Sequence, residues 1–179
     1  METIFVAALK EETPKLSKFH HTGVGKINAS IKLMELINVH KPTQIINYGT
    51  AGSFKKEISG LVECTTFVQH DMDARGLLGF KLGETPFDSI SKIILSNKCY
   101  ICATGDRFVK NKLEINCDIV DMEAYALAKV CKLERISFRC FKFISDNADE
   151  SANVDWIENC KKGARLFEHK LKELNLFQV

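Results

Sequence analysis

The sequence predicts an α/β fold, a sandwich built around a largely parallel or mixed central sheet, and three observations carry that prediction. Short β-branched apolar runs alternate with segments whose apolar residues recur every three or four positions. The short runs lack a clean period of two, as expected of strands buried on both faces. The 179 residues suffice for one sizeable core, and neither a low-complexity stretch nor an internal repeat divides them, so residues 1–179 read as a single domain.

The elements follow in chain order. Thr3–Leu9 reads as a buried strand stopped by Lys10, Glu11 and Glu12, and Phe19–Thr22 as a short extended piece ending at Gly23-Val24-Gly25. From Lys26 to Val39, the positions Ile27, Ile31, Met34 and Leu36 or Ile37 mark the apolar stripe of an amphipathic helix, closed by Pro42. Gln44–Asn47 begins a strand that runs into Gly49-Thr50-Ala51-Gly52. Val62–Gln69, Lys98–Ala103 and Ser137–Ile144 read as further strands, and Asp121–Leu133 as a helix. The chain ends in a long helix with Ile157, Cys160, Ala164, Phe167, Leu171 and Leu174 along one side.

Composition narrows the function classes. The 25 basic and 23 acidic residues nearly cancel, and Arg75, Arg107, Arg135, Arg139 and Arg165 are scattered, so no stripe for a nucleic-acid backbone is expected. The apolar runs are too short to cross a bilayer, and Ile4–Leu9 runs at once into charge, unlike a signal peptide. Seven cysteines at irregular spacing read as buried thiols of a reducing compartment, so a cytoplasmic setting is expected. Cys99 and Cys102 fall in a strand-like run with no second pair, which favours core over metal.

Polar groups gather at strand ends, where α/β sheets bind ligands: Glu11 and Glu12, Gly49–Gly52, and Ser145-Asp146. Asp121 at the start of a predicted helix is read as an acidic residue meeting the helix dipole. The turn Gly23-Val24-Gly25-Lys26 lacks the third glycine of a dinucleotide fingerprint and the Ser/Thr of a P-loop, so it reads as a tight strand-to-helix turn. His70-Asp71-Met72-Asp73 reads as a surface loop or interface, since no further cluster completes a metal site.

Seven blocks in order extend nearly the whole chain. They are Ala7-Ala8-Leu9-Lys10-Glu11-Glu12, Thr22–Ala29, Asn47-Tyr48-Gly49-Thr50-Ala51-Gly52, His70–Asp73, Thr104-Gly105-Asp106-Arg107-Phe108, Val120-Asp121-Met122-Glu123-Ala124 and Ile144–Asp149. Together they resemble the nucleoside phosphorylase/nucleosidase superfamily, closest to the methylthioadenosine/S-adenosylhomocysteine nucleosidases. The resemblance implies a three-layer, nucleoside phosphorylase-like sandwich and cofactor-free cleavage of a purine N-glycosidic bond in a homodimer. It implies that Asp146 is the general acid at the purine, oriented by Ser145, and that Glu12 activates water. It places Glu123 at the ribose hydroxyls, where a carboxylate stabilises positive charge developing on the sugar. Met122 then packs on the sugar, Phe108 stacks on the purine, the Val109 backbone reads its edge, and Thr50, Ala51 and Gly52 line the site. Trp156 falls over the 5′ substituent. Read without the resemblance, Phe108 and Trp156 are ordinary core aromatics and Asp146 opens a turn cluster with Asn147 and Asp149.

Hydrolysis is favoured over phosphorolysis because no arginine precedes Arg75, although Lys26 or a helix N-terminus offers phosphate another partner. A phosphorylase and a catalytically silent nucleoside-binding protein remain the rival readings. The chain departs from the family between Glu12 and Gly23, where a shortened N-terminal part replaces the usual hairpin, and over Ala74–Phe87. In relatives the latter region lends an apolar residue to the neighbouring site, a part open here to Leu78 or Phe80, while Arg75 offers itself to a charged 5′ group.

Overall fold

The first strand shows why the sheet is central. In β1 (Thr3–Ala7) every residue after Thr3 is buried, so both faces must be covered. The computed structural model describes residues 2–14, 16–77, 79–96, 99–146 and 156–176, with the side chains of Asp146 and Trp156 outside that description. The further strands are β2 (Phe19–His21), β3 (Gln44–Gly52), β4 (Leu61–Gln69), β5 (Lys92–Ile94), β6 (Tyr100–Thr104), β7 (Ile119–Asp121) and β8 (Ser137–Asp146). They form one sheet in the order β2-β1-β3-β7-β6-β4-β5, and β8 pairs with both β3 and β4, so β3, β7, β6, β4 and β8 close into a ring.

Direction within the sheet locates the site. β1, β2, β3 and β8 run parallel to one another, as do β4, β6 and β7, and the two sets are opposed. They meet tip to tip where Gly52 at the end of β3 pairs antiparallel with Val120 near the end of β7. The carboxyl ends of both sets therefore converge on one seam. That is the mixed, largely parallel arrangement expected from the sequence.

Helices cover the sheet on both sides. On one face α1 (Lys26–His40) and α2 (Ala124–Leu133) share a core of Ala29, Leu33, Leu36, Ile37, Ala124, Leu127, Ala128 and Cys131 with Ile4, Val6 and Ile45. On the other, α3 (Trp156–Glu173) sets Phe167 and Leu171 against Phe5, Phe19, Tyr48, Phe141 and Phe143. Three layers result.

The structure corrects several expectations. The buried face of α1 runs through Ala29 and Leu33, leaving Ile27 71% exposed and Ile31 also exposed. The helix carries two apolar faces, and the small Ala29 sits on the one that is buried. Asp121 ends β7 and α2 begins at Ala124, so Asp121 lies in a strand. The strands β5 and β7 are three residues each, too short for a period to show. Gly49–Gly52 and Ser145-Asp146 lie within β3 and β8 rather than after them. Cys99 precedes β6 and is exposed, while Cys102 is buried. His70 is buried too, and Ile157 on α3 is exposed.

Gly163 lets α3 seat on the sheet. A Cβ there would lie 2.5 Å from the Tyr48 hydroxyl and 2.6 Å from Cγ of the Phe143 ring. Helix propensity favours alanine by about 1 kcal/mol, whereas overpacking a tight core costs about 1–3 kcal/mol. Contacts this short put the cost at the upper end, so Gly163→Ala is expected to lower stability by about 2 kcal/mol in urea unfolding. An unchanged or raised midpoint contradicts this packing account.

Candidate active site

At the seam lies a cavity of about 270 Å³. Its walls include Glu12, Thr50, Ala51, Gly52, Phe108, Val109, Met122, Glu123 and Ser145, which come from five separate stretches of chain. Each stretch follows or ends a strand of one set or the other, so the tip-to-tip meeting of the sets brings them together.

Glu12 ends a single 3₁₀ turn, Lys10–Glu12, and is 4% exposed, whereas Glu11 faces solvent. Three donors orient its carboxylate: the Thr50 amide at 2.7 Å and the Thr50 hydroxyl at 2.9 Å reach Oε1, and the Leu9 amide reaches Oε2 at 3.1 Å. Gly49 makes room for this approach, since a Cβ there would lie 3.2 Å from Glu12 Oε1 and 3.1 Å from Lys142 Nζ.

Glu123 is buried beside α2 and, among the described residues, accepts one hydrogen bond, from the Gly25 amide at 2.9 Å. Burial, then the negative charge of Asp121, push its carboxyl up to about 7, against the pull of Lys142 and the Gly25 amide. Asp121 itself forms an ion pair with Lys142 at 2.8 Å, their side chains 1% and 2% exposed. Burial alone would raise the Asp121 carboxyl. The Lys142 ammonium and hydrogen bonds from Thr104 and the Ala124 amide outweigh it and hold the carboxyl below its ordinary value. Burial likewise opposes charge on Lys142, but Asp121 keeps it protonated.

Lys142 was missed by the sequence reading, and so was the wall formed by Ala8, Leu9, Val24, Arg107, Val120 and Asp121. The signal for Lys142 was its place between Phe141 and Phe143, since a charge in a buried strand demands a partner. Ser145 is positioned from outside the sheet, its carbonyl accepting from Asn159 of α3 at 2.9 Å. Asp146 ends β8 and Trp156 begins α3, but their side chains lie outside the described residues, as does Leu78. Arg75 is absent from the cavity's described lining. Its guanidinium binds Asp73 at 2.6 Å and Glu114 at 2.7 Å, and Arg107 stands at the cavity instead. Phe80 packs edge-on against Phe87.

A family profile described as Phosphorylase superfamily matches residues 20–174. The chain belongs to the phosphorylase superfamily. Within it, this superfamily member is 31% identical over 165 residues to the 5′-methylthioadenosine/S-adenosylhomocysteine nucleosidase of Exiguobacterium sp., an alignment spanning 76% of this chain and 70% of that one. The nucleosidase of the same name from Bacillus cereus strain B4264 is 31% identical over 163 residues, with 75% and 70% spanned. Among solved structures, the Helicobacter pylori 5′-methylthioadenosine/S-adenosylhomocysteine nucleosidase bound to a pyrrolidine ligand superposes with a TM-score of 0.81 at 21% identity, covering 96% of this chain and 97% of that one. The native futalosine hydrolase of Helicobacter pylori gives 0.82 at 21% identity, with the same coverage. These likenesses establish the fold of the superfamily member as nucleoside phosphorylase-like.

Because the folded Glu123 carboxyl titrates near 7, above its ordinary 4.5, the folded protein holds that proton more tightly than the unfolded chain does. The stability it contributes is full below about 4.5 and is lost as pH rises through about 7. Glu123→Gln is expected to unfold at higher urea than the wild type at about pH 8, the gap narrowing as pH falls toward 5. Parallel curves at all pH values contradict the assignment.

Proposed function

We propose that this protein is a purine nucleosidase that hydrolyses the N-glycosidic bond of 5′-methylthioadenosine or a related adenine nucleoside. The observation that carries the reading is a pair of buried carboxylates, Glu12 and Glu123, facing one cavity from opposed strand sets with different hydrogen-bond environments. Glu12, oriented by three donors, takes a proton from the attacking water. Glu123 holds the ribose hydroxyls and its negative charge stabilises the oxocarbenium-like sugar. Water adds to the anomeric carbon as the C–N bond breaks toward the purine, and Asp146 supplies the proton the leaving base accepts. Met122 packs on the sugar, Phe108 stacks on the purine, and the Val109 backbone reads its edge. Ser145 orients Asp146, and Trp156 covers the 5′ substituent. This chemistry uses no cofactor.

Occupied donors support water over phosphate as the nucleophile. At the N-terminus of α1 the Gly25 amide is bound by Glu123 and the Lys26 amide by Asp106, and Lys26 Nζ lies 2.6 Å from Asp71. The first two amides of the helix end and the Lys26 ammonium are thus engaged within the chain rather than held ready for a phosphate. Adenine release from 5′-methylthioadenosine is expected to be equal with and without phosphate. Glu12→Gln and Asp146→Asn are each expected to lower kcat by about 10²–10⁴-fold. In wild type, kcat/KM is expected to fall below about pH 7 as Glu123 protonates. Release that requires phosphate overturns the hydrolytic reading.

A cytoplasmic homodimer completes the proposal. Exposed Ile27 and Ile31 on α1 and Leu133 on α2 line one apolar groove, and Leu77 and Phe87 stand out from the segment after β4. Sedimentation is expected to show a dimer that Ile27→Asp combined with Ile31→Asp dissociates. A monomeric wild type contradicts it.

A further inference from the structure

Just outside the cavity, three residues form a closed ring of backbone and side-chain bonds that the reaction scheme does not use. The Lys26 amide donates to Asp106 Oδ1 at 2.8 Å, the Asp106 amide donates to Asp71 Oδ2 at 2.8 Å, and Asp71 Oδ1 receives Lys26 Nζ at 2.6 Å. Lys26 Nζ also donates to Gln69 at 3.2 Å, and Gln69 in turn donates to the Thr85 hydroxyl. The ring ties the start of α1 to the turn after β4 and to the loop after β6. None of the three lines the cavity, but Lys26 and Asp106 each adjoin a residue that bears on it. Gly25, next to Lys26, gives its amide to Glu123, and Arg107 and Phe108, next to Asp106, form a cavity wall.

Gly25 holds a backbone conformation, φ 93°, that L side chains rarely adopt, and a Cβ there would lie 3.1 Å from Asp106 Oδ1. The turn thus lies close against Asp106, whose carboxylate holds the Lys26 amide next to Gly25.

We propose that Lys26, Asp71 and Asp106 are a positioning clasp that aims the Gly25 amide at Glu123 and fixes the Phe108 loop, so that Asp71 and Asp106 are positioning residues for catalysis. The groups facing Glu123 are Asp121 from β7, Lys142 from β8, Glu12 from the turn after β1, and the Gly25 amide at the start of α1. Of these, the Gly25 amide is the contact the clasp controls. A hydrogen bond to the carboxylate favours its charged form, so releasing that amide moves Glu123 titration to higher pH.

The clasp's catalytic role rests on the nucleosidase reading, and two measurements on Asp106→Ala and Asp106→Asn separate them. The first follows kcat, KM and the pH profile with 5′-methylthioadenosine. Asp106→Ala, which removes the acceptor for the Lys26 amide, is expected to lower kcat/KM about ten- to a hundred-fold and shift the acid limb to higher pH. Asp106→Asn retains an acceptor oxygen and is expected to stay near wild type in both. The second needs no turnover: the ¹³C carboxyl resonance that disappears in Glu123→Gln is titrated in the ligand-free proteins, and it is expected to move to higher pH in Asp106→Ala alone. An unmoved resonance overturns the clasp whether or not purine is released. Equal losses in both variants also overturn it, because a merely structural ring would distinguish neither pH profile nor conservative replacement. Absence of purine release from wild type overturns the nucleosidase reading, while the titration still decides whether the ring aims Gly25.

Discussion

The Asp121–Lys142 ion pair spans the seam on which everything else in this protein depends. Asp121 belongs to the strand set of β4, β6 and β7, and Lys142 to the opposed set of β1, β2, β3 and β8. Backbone pairing joins the sets at four register positions between β4 and β8 but at a single one between β3 and β7, Gly52 with Val120, so at the cavity end the ion pair reinforces a short ladder. Removing one partner of such a buried pair typically costs about 3–5 kcal/mol, because the other charge is stranded. Further bonds spread the constraint. Thr104 donates its hydroxyl proton to Asp121 and accepts the Tyr125 amide, and Asp121 also accepts the Ala124 amide, so the pair sets where β6 ends and α2 begins.

The same ion pair divides labour between the two cavity carboxylates. Glu12 sits among three donors from β3 and the chain before its turn, while Glu123 has one donor, deep burial and the Asp121 charge beside it. A carboxyl pushed to about 7 is costly for folding at neutral pH and useful beside a developing cation. The cost is tolerable because Lys142 supplies a compensating charge that no water could provide at that depth.

The sequence made legible what local chemistry decides. The resemblance named nine of the residues that line the cavity, and the strand–helix alternation gave three layers, because turn glycines and carboxylates at strand ends are local signals. It misled where a choice depends on the rest of the molecule. α1 offers two apolar faces, and only the sheet and α2 select Ala29 and Leu33 over Ile27 and Ile31. Asp121 had the look of a dipole-pairing residue because its partner lies 21 positions away on a strand whose neighbours are phenylalanines. Arg75 was free for a ligand in sequence, but Asp73 and Glu114 reach it first in space.

A turn that resembles a phosphate cradle serves this chain differently. The amides of Gly25 and Lys26 open a 15-residue helix, where an anion is favoured by unpaired donors and the helix dipole. Here the anions are the chain's own: Glu123 takes one amide and Asp106 the other. Each of those carboxylates is bonded to the chain covalently, so a diffusible phosphate competes against a partner already in place at high effective concentration. Filling the helix end internally does two things at once. It engages two amides that a phosphate would otherwise use, and it ties the position of the sugar-facing carboxylate to the first turn of α1.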